Sequence, residues 1–184
     1  ELIHVVHRPA LCLIVQGRKE VGLGDERFLY DPLNYLVVSV TLPVSGRVIE
    51  ASPEAPYFCV RLDFDPAQLT QLIAESPLTG MPQDAGRGMF LDKIDVTLLD
   101  TMLRLVRLLD NPRDIGMLAP MALRERYYRL LRGQHGHLLY ESSVNDSQTH
   151  RVMRSIDWLN KNFTEPLRLD ALAQVANLSN SALH

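Results

Sequence analysis

The chain has 184 residues, 46% of them apolar and 22% charged, with a formal net charge of −3. That length holds one full domain and a smaller piece, and the charge excludes a global basic field that would draw the whole chain to nucleic acid or anionic membrane. No apolar run approaches the ~20 residues that span a bilayer, so no membrane partner is expected, and the cytoplasm is the expected compartment.

The first third reads as strands. LCLIV at 11–15 is bounded by Pro9 and Gly17, and RKEVGLGDERFLYDP places Gly24-Asp25 as a hairpin turn. NYLVVSVTLP is rich in β-branched residues, and VSGRVIEA offers Ser45-Gly46 as a further turn. In PYFCVRLDFDP, Phe58, Val60, Leu62 and Phe64 alternate with Cys59, Arg61 and Asp63. Short strands with turn signals about every ten residues, and no helices between them, predict an antiparallel barrel or sandwich over 1–65. Cys12 and Cys59 lie in these strand-like runs without CxxC spacing and read as structural thiols of a reducing compartment.

The period changes at Asp65-Pro66, a good N-cap followed by proline at the first helical position. Three glycines and two prolines make 76–93 a loop. Residues 95–109 form an apolar helix whose broad stripe includes Leu99, Leu103 and Val106. Pro120 is expected to open the next helix, with Leu123, Tyr127, Leu130 and Leu131 inside and Arg124, Glu125, Arg126, Arg129 and Arg132 largely outside. So much apolar surface predicts a homodimer through helices 95–109 and 118–132, with Leu99, Leu103, Val106 and Leu130 as candidate interface residues. The polar stretch 136–149 reads as a linker.

Catalytic chemistry has little support. His135 and His137 are two apart in a glycine-flanked loop with no further ligand at metal-like spacing. No GxSxG, HExxH, P-loop or dinucleotide fingerprint occurs in a suitable context. The chain is therefore expected not to be an enzyme and to carry no metal or cofactor. In 150–163, HRVMRSIDWLNKNF is an amphipathic helix, Asp170 caps a short one, and Ser179 is a strong N-cap for a third. Short helix, tight turn and Ser-capped helix is the helix-turn-helix pattern, which ordinary helical hairpins share.

WLNKNFTEPLRLDALAQVANLSNSALH resembles the opening of the DNA-binding domain of AraC/XylS-family transcription regulators. Trp158, Leu159, Pro166, Leu167, Leu172, Ala173, Ala176, Ser179, Ser181 and Leu183 match that pattern, and Asn177 departs from it, where the family usually has Gly. RPALCLIVQGRKEVGLGDERFLYDPLNYLVVSVTLPVSGRV and ASPEAPYFCVRLDFDP resemble the N-terminal domain of one AraC-type subfamily. The resemblance implies an α+β protein: a cupin-like antiparallel β-barrel that senses a small organic effector (1–65, trimmed at its N-terminus), a helical dimerisation region (66–135), a linker (136–149) and a truncated start of the DNA-binding domain (150–184). It implies a transcription regulator that binds DNA as the full-length protein, with Ser179, Asn180, Ser181 and His184 at the start of a recognition helix. The tail from Gln148 carries four Lys/Arg and three Asp/Glu, barely basic. Candidate effector contacts are Arg47, after the Ser45-Gly46 turn, with Tyr30 and Tyr57, which offer apolar faces with polar tips. The competing readings are a cupin enzyme, opposed by the lack of any His in 11–64, and a sensor or dimerisation module with no DNA role.

Overall fold

The computed structural model describes residues 2–76, 88–143, 148–166 and 168–176, with only the backbone at 148–150, 152 and 153. Eight strands come first in the chain: β1 (Ile3–His7), β2 (Ala10–Gln16), β3 (Arg18–Leu23), β4 (Glu26–Tyr30), β5 (Asn34–Val38), β6 (Leu42–Glu50), β7 (Phe58–Asp63) and, after one helix, β8 (Met89–Lys93). They form two four-stranded antiparallel sheets, ordered β1-β6-β3-β4 and β7-β2-β5-β8. Of the barrel or sandwich expected from the sequence, the structure is a sandwich of two open sheets, and the cupin-like barrel implied by the resemblance is not closed. The chain changes sheet at almost every connection, so most strands pair with strands distant in sequence, and β1, β4, β7 and β8 remain as edges. Only β3 and β4 are a hairpin, turning at Gly24 in the left-handed region (φ 57°).

Two expected turns and loops are corrected. Ser45-Gly46 lies inside β6, where Gly46 faces Val21 of β3 and Ile3 of β1. Residues 89–93, read as loop, make β8 and pair with β5 from Val38↔Met89 to Asn34↔Lys93. The glycines and prolines upstream masked a strand too short to show a period of its own, and the sheet therefore extends beyond residue 65.

The second sheet is buried on both sides, which explains the continuous apolar runs of β2 and β5. On one side Leu11, Leu13, Tyr35, Val37 and Phe90 pack against the helices. On the other, Cys12, Ile14, Leu36, Val38 and Met89 pack against Val21, Tyr30 and Val44 of the facing sheet.

The helices are α1 (Pro66–Glu75), α2 (Val96–Arg107), α3 (Pro112–Arg132), α4 (Gly136–Ser143), α5 (Gln148–Asn162) and α6 (Leu169–Ala176), with a 3₁₀ turn at Leu108–Asp110. Asp65 caps α1 by accepting from the amides of Ala67 and Gln68, as its position before Pro66 predicts. Asp95 caps α2 at Leu98. The α3 helix starts at Pro112, not Pro120. Proline suits a first turn, and the carbonyl that Pro120 leaves unpaired belongs to exposed Gly116, where water can meet it. The expected linker at 136–149 contains α4, whose Leu138 and Leu139 enter the core. The α5 and α6 helices pack on each other, and Arg154 donates to the carbonyl of Val175 at 2.6 Å. Ser179, Asn180, Ser181 and His184, with Asn177 and Leu183, lie outside the described residues.

Candidate functional site

Residues directly opposite in an antiparallel ladder share a face. Cys12 stands opposite Arg61, and Ile14 opposite Cys59. Because Cys12 and Ile14 face the other sheet, so do Cys59 and Arg61. Across the gap, Lys19 stands opposite Tyr30, which is 1% exposed. Lys19 crosses Gly46, close enough that a Cβ there would come within 3.2 Å of its Cε. Tyr57, in the segment before β7, lies against Gly17, which turns between β2 and β3 at φ 87°. These elements gather His7, Cys12, Lys19, Tyr30, Tyr57, Cys59 and Arg61 at one end of the space between the sheets. The apolar middle of that space is filled by Val21, Leu36, Val38 and Val44. Because β7 is an edge strand, Cys59 and Arg61 are exposed and form the rim, while Cys12 is 4% exposed beneath them.

The polar contacts follow from this packing. His7 Nδ1 lies 2.7 Å from the carbonyl oxygen of Arg8, which only an N–H can meet. Burial holds the imidazole pKa below its usual value, so the ring is neutral near pH 7 and Nε2 is an acceptor. Nε2 is 3.5 Å from Arg61 Nη1 and 3.9 Å from Cys12 Sγ. Arg61 Nε also pairs with Asp63 at 2.6 Å on the exposed rim. Lys19 is half-buried and makes no ion pair with a carboxylate among the described residues. The buried hydroxyl of Tyr57 has no well-formed hydrogen bond; its neighbours are Cys59 and Tyr30.

The two thiols are pushed in opposite directions. The neighbouring Cys12 thiol lowers the Cys59 pKa to about 6, helped by Tyr57, Lys19 and Arg61 against the cost of partial burial. The same neighbour and its own burial raise Cys12. Burial likewise raises Tyr30 and Tyr57, which stay protonated near neutrality. The result is a thiolate at a cationic rim above neutral hydroxyls.

The structure brings Tyr30 and Tyr57 together, as two of the three expected effector contacts. Arg47 does not join them. It stands opposite Glu20, one residue out of phase with Lys19, and so lies on the outer face of its sheet, with Nε 3.1 Å from Glu20 Oε1. Reading Ser45-Gly46 as a turn hid this alternation. Sequence reasoning had set Cys59, Arg61 and Asp63 on one face, but could not say what covers that face.

Among the expected interface residues, Leu99, Leu103 and Val106 are exposed on α2, whereas Leu130 is 5% exposed and belongs to the core. Met117, Leu118, Met121 and Tyr128 add exposed apolar surface on α3. Arg126, expected outside, is fully buried (0% exposed), and no acceptor among the described residues meets its Nε, Nη1 or Nη2. Burial lowers its pKa to about 10, and Tyr35, Tyr127 and Asp95 only partly oppose that shift. It stands one helical turn from buried Ala122 and Leu130, so periodicity put it inside and only its charge argued otherwise. No three of His, Cys, Asp and Glu group as metal ligands among the described residues. No described helix is long and apolar enough to cross a membrane.

Two facing antiparallel sheets, backed by a helical layer, thus carry a polar cluster at one end of the space between them. The chain belongs to the AraC-type transcriptional regulators: the family model described as AraC-type transcriptional regulator N-terminus matches residues 1–138. The fold is similar to that of apo ToxT from Vibrio cholerae strain SCE256, at 8% identity and a TM-score of 0.62 over 100% of this chain and 69% of that one. It is also similar to ToxT from Vibrio cholerae O395 bound to (E)-4-(8-methylnaphthalen-1-yl)but-3-enoic acid, at 8% identity and a TM-score of 0.60, covering 100% and 72%. The AraC-like activator CuxR aligns at 13% identity and a TM-score of 0.40, covering 97% and 59%. None of the curated proteins compared with the chain matches it.

Proposed function

We propose that this chain is the effector-sensing and self-associating part of a cytoplasmic, DNA-binding transcription regulator, and that its effector is a small organic acid held between the two sheets. The observation that carries this reading is half-buried Lys19, which makes no ion pair with a carboxylate among the described residues, together with Arg61 and the buried Tyr57 hydroxyl, which has no well-formed hydrogen bond. Together they offer two cations and a neutral donor to a carboxylate, next to apolar walls for its remainder. That ToxT has been solved with a carboxylic acid bound supports the same ligand class. Leu99, Leu103 and Val106 support a homodimer through α2, because an exposed helix stripe of this kind is costly unless covered. DNA contact belongs to α5, α6 and the residues after them, with Ser179, Asn180, Ser181 and His184 opening the reading helix.

The test is a thermal-shift screen of small aliphatic and aromatic acids. A ligand at a hundred times its dissociation constant adds about 2.7 kcal/mol of stability. The shift is expected to fall in Lys19→Gln and Arg61→Gln and to persist in Arg47→Ala. A binder whose shift ignores Lys19 and Arg61 would put the effector elsewhere. For self-association, Leu103→Glu is expected to give monomers in light scattering while keeping the wild-type melting temperature within a few degrees.

A further inference from the structure

We propose that Cys59 is a site of covalent modification by hydroperoxides, and that Cys12 is its resolving partner. Neither thiol is assigned a role by the effector reading, and the inference does not depend on it.

Geometry comes first. The β2–β7 register sets Cys12 opposite Arg61 and Ile14 opposite Cys59, so the two cysteines are diagonal neighbours on one face. Cys59 Sγ lies 3.7 Å from the carbonyl oxygen of Val60, and Cys12 Sγ lies 3.9 Å from His7 Nε2. Their exposure is opposite: Cys59 stands on the open rim of an edge strand, and Cys12 is 4% exposed beneath it. An oxidant therefore reaches one sulfur from solvent, while the other lies beneath it on the same face. That asymmetry is what a peroxidatic and resolving pair requires.

Electrostatics agree. Lys19 and Arg61 flank Cys59, and Tyr57 lies beside it with a hydroxyl that has no well-formed partner. Asp63, the one carboxylate on this face of β7, is engaged by Arg61. The surroundings thus favour the thiolate, which is the nucleophile in sulfur chemistry. On the far side of Cys12, His7 Nε2 is an unprotonated acceptor at 3.9 Å.

The reaction balances as follows. The Cys59 thiolate attacks the terminal oxygen of the hydroperoxide, the O–O bond breaks, and the alkoxide leaves as the alcohol after taking a proton from water. Cys59 is now a sulfenic acid, oxidised by two electrons. Cys12 loses its proton to His7 Nε2 and attacks the Cys59 sulfur. The S–O bond breaks, and hydroxide leaves as water on receiving that proton. In sum, two thiols and one hydroperoxide give one disulfide, one alcohol and one water.

The bridge would change the site. Diagonal neighbours in an antiparallel pair are about 7–8 Å apart at Cα, beyond the usual ~4.4–6.8 Å of a disulfide. Closing it draws β7 toward β2 at the rim where Lys19 and Arg61 stand.

The experiment is intact-mass spectrometry of the purified chain with equimolar cumene hydroperoxide near neutral pH. The wild type is expected to lose two hydrogens and both titratable thiols. Cys12→Ser is expected to stop at one added oxygen, trapped by dimedone on Cys59, and Cys59→Ser to remain unmodified over the same time. Should Cys12→Ser fail to fold, Cys12→Val replaces it. Limited alkylation of the wild type by iodoacetamide needs no variant, and is expected to label Cys59 roughly tenfold faster than Cys12. Oxidation of Cys59→Ser at the wild-type rate, preferential labelling of Cys12, or a bridge only between two chains would overturn the proposal. A loss of effector shift with oxidation intact would sink the effector reading and leave this one standing.

Discussion

The two faces of the β7-β2-β5-β8 sheet follow different rules. The helix side is a continuous apolar layer from Leu11 and Val37 to Leu131 and Leu139, interrupted by one buried charge, Arg126. The inter-sheet side is apolar only in its middle and ends in a rim of thiols, hydroxyls and cations. The same strands serve both, since alternate side chains go to opposite faces. The helix face carries the larger buried apolar cluster, and the inter-sheet rim leaves polar groups exposed.

The sharpest way to break this contrast is to truncate matching residues of β2. Leu11→Ala removes a fully buried side chain from the helix side and is expected to cost about 3–5 kcal/mol. Ile14→Ala, nearest the rim, is expected to cost about 2 kcal/mol, because the open edge lets neighbours and water relax into the space. Equal losses in urea denaturation would mean that the two faces are packed alike.

Arg126→Met tests the exception on the helix side. An apolar side chain of similar length in place of an unpaired buried charge is expected to stabilise the fold by roughly 1–4 kcal/mol. A lower melting temperature would show that the guanidinium finds an acceptor after all.

The rim is tested by pH. The folded Cys59 pKa is depressed to about 6, below the ~8.5 of a free thiol. The unfolded chain therefore holds the proton more tightly. The stability this group adds is fully present above the free-thiol value and is lost as pH falls through about 6. Cys59→Ser is expected to flatten the stability profile between those limits, and the alkylation rate of the wild type should halve near pH 6. A half-point at the free-thiol value would mean that neither Cys12 nor the cations Lys19 and Arg61 hold the Cys59 thiolate.

The smallest effect is expected on the outer face. Arg47 and Glu20 form an exposed pair, so Arg47→Ala should change stability by less than about 0.5 kcal/mol. A larger change, or a lost ligand shift, would restore Arg47 to the site.

What the sequence determined by itself was local. Asp65-Pro66 and the stripe of 96–106 specify α1 and α2, because caps and a 3.6-residue period act within one turn or two. Two-residue alternation placed Cys59, Arg61 and Asp63 together, and the paired matches at both ends of the chain identified the family. The resemblance also offered Ser179, Asn180, Ser181 and His184 as candidate DNA contacts, which lie outside the described residues. What only the tertiary structure decided was which strands meet. Sheet order rests on contacts between residues tens of positions apart, whose energies depend on the whole packed layer and leave no periodic trace. So Arg47 went to the outer face, Leu130 and Arg126 went to the core, β8 joined the sheet of β7, β2 and β5, and two cysteines 47 residues apart in sequence became diagonal neighbours on one face.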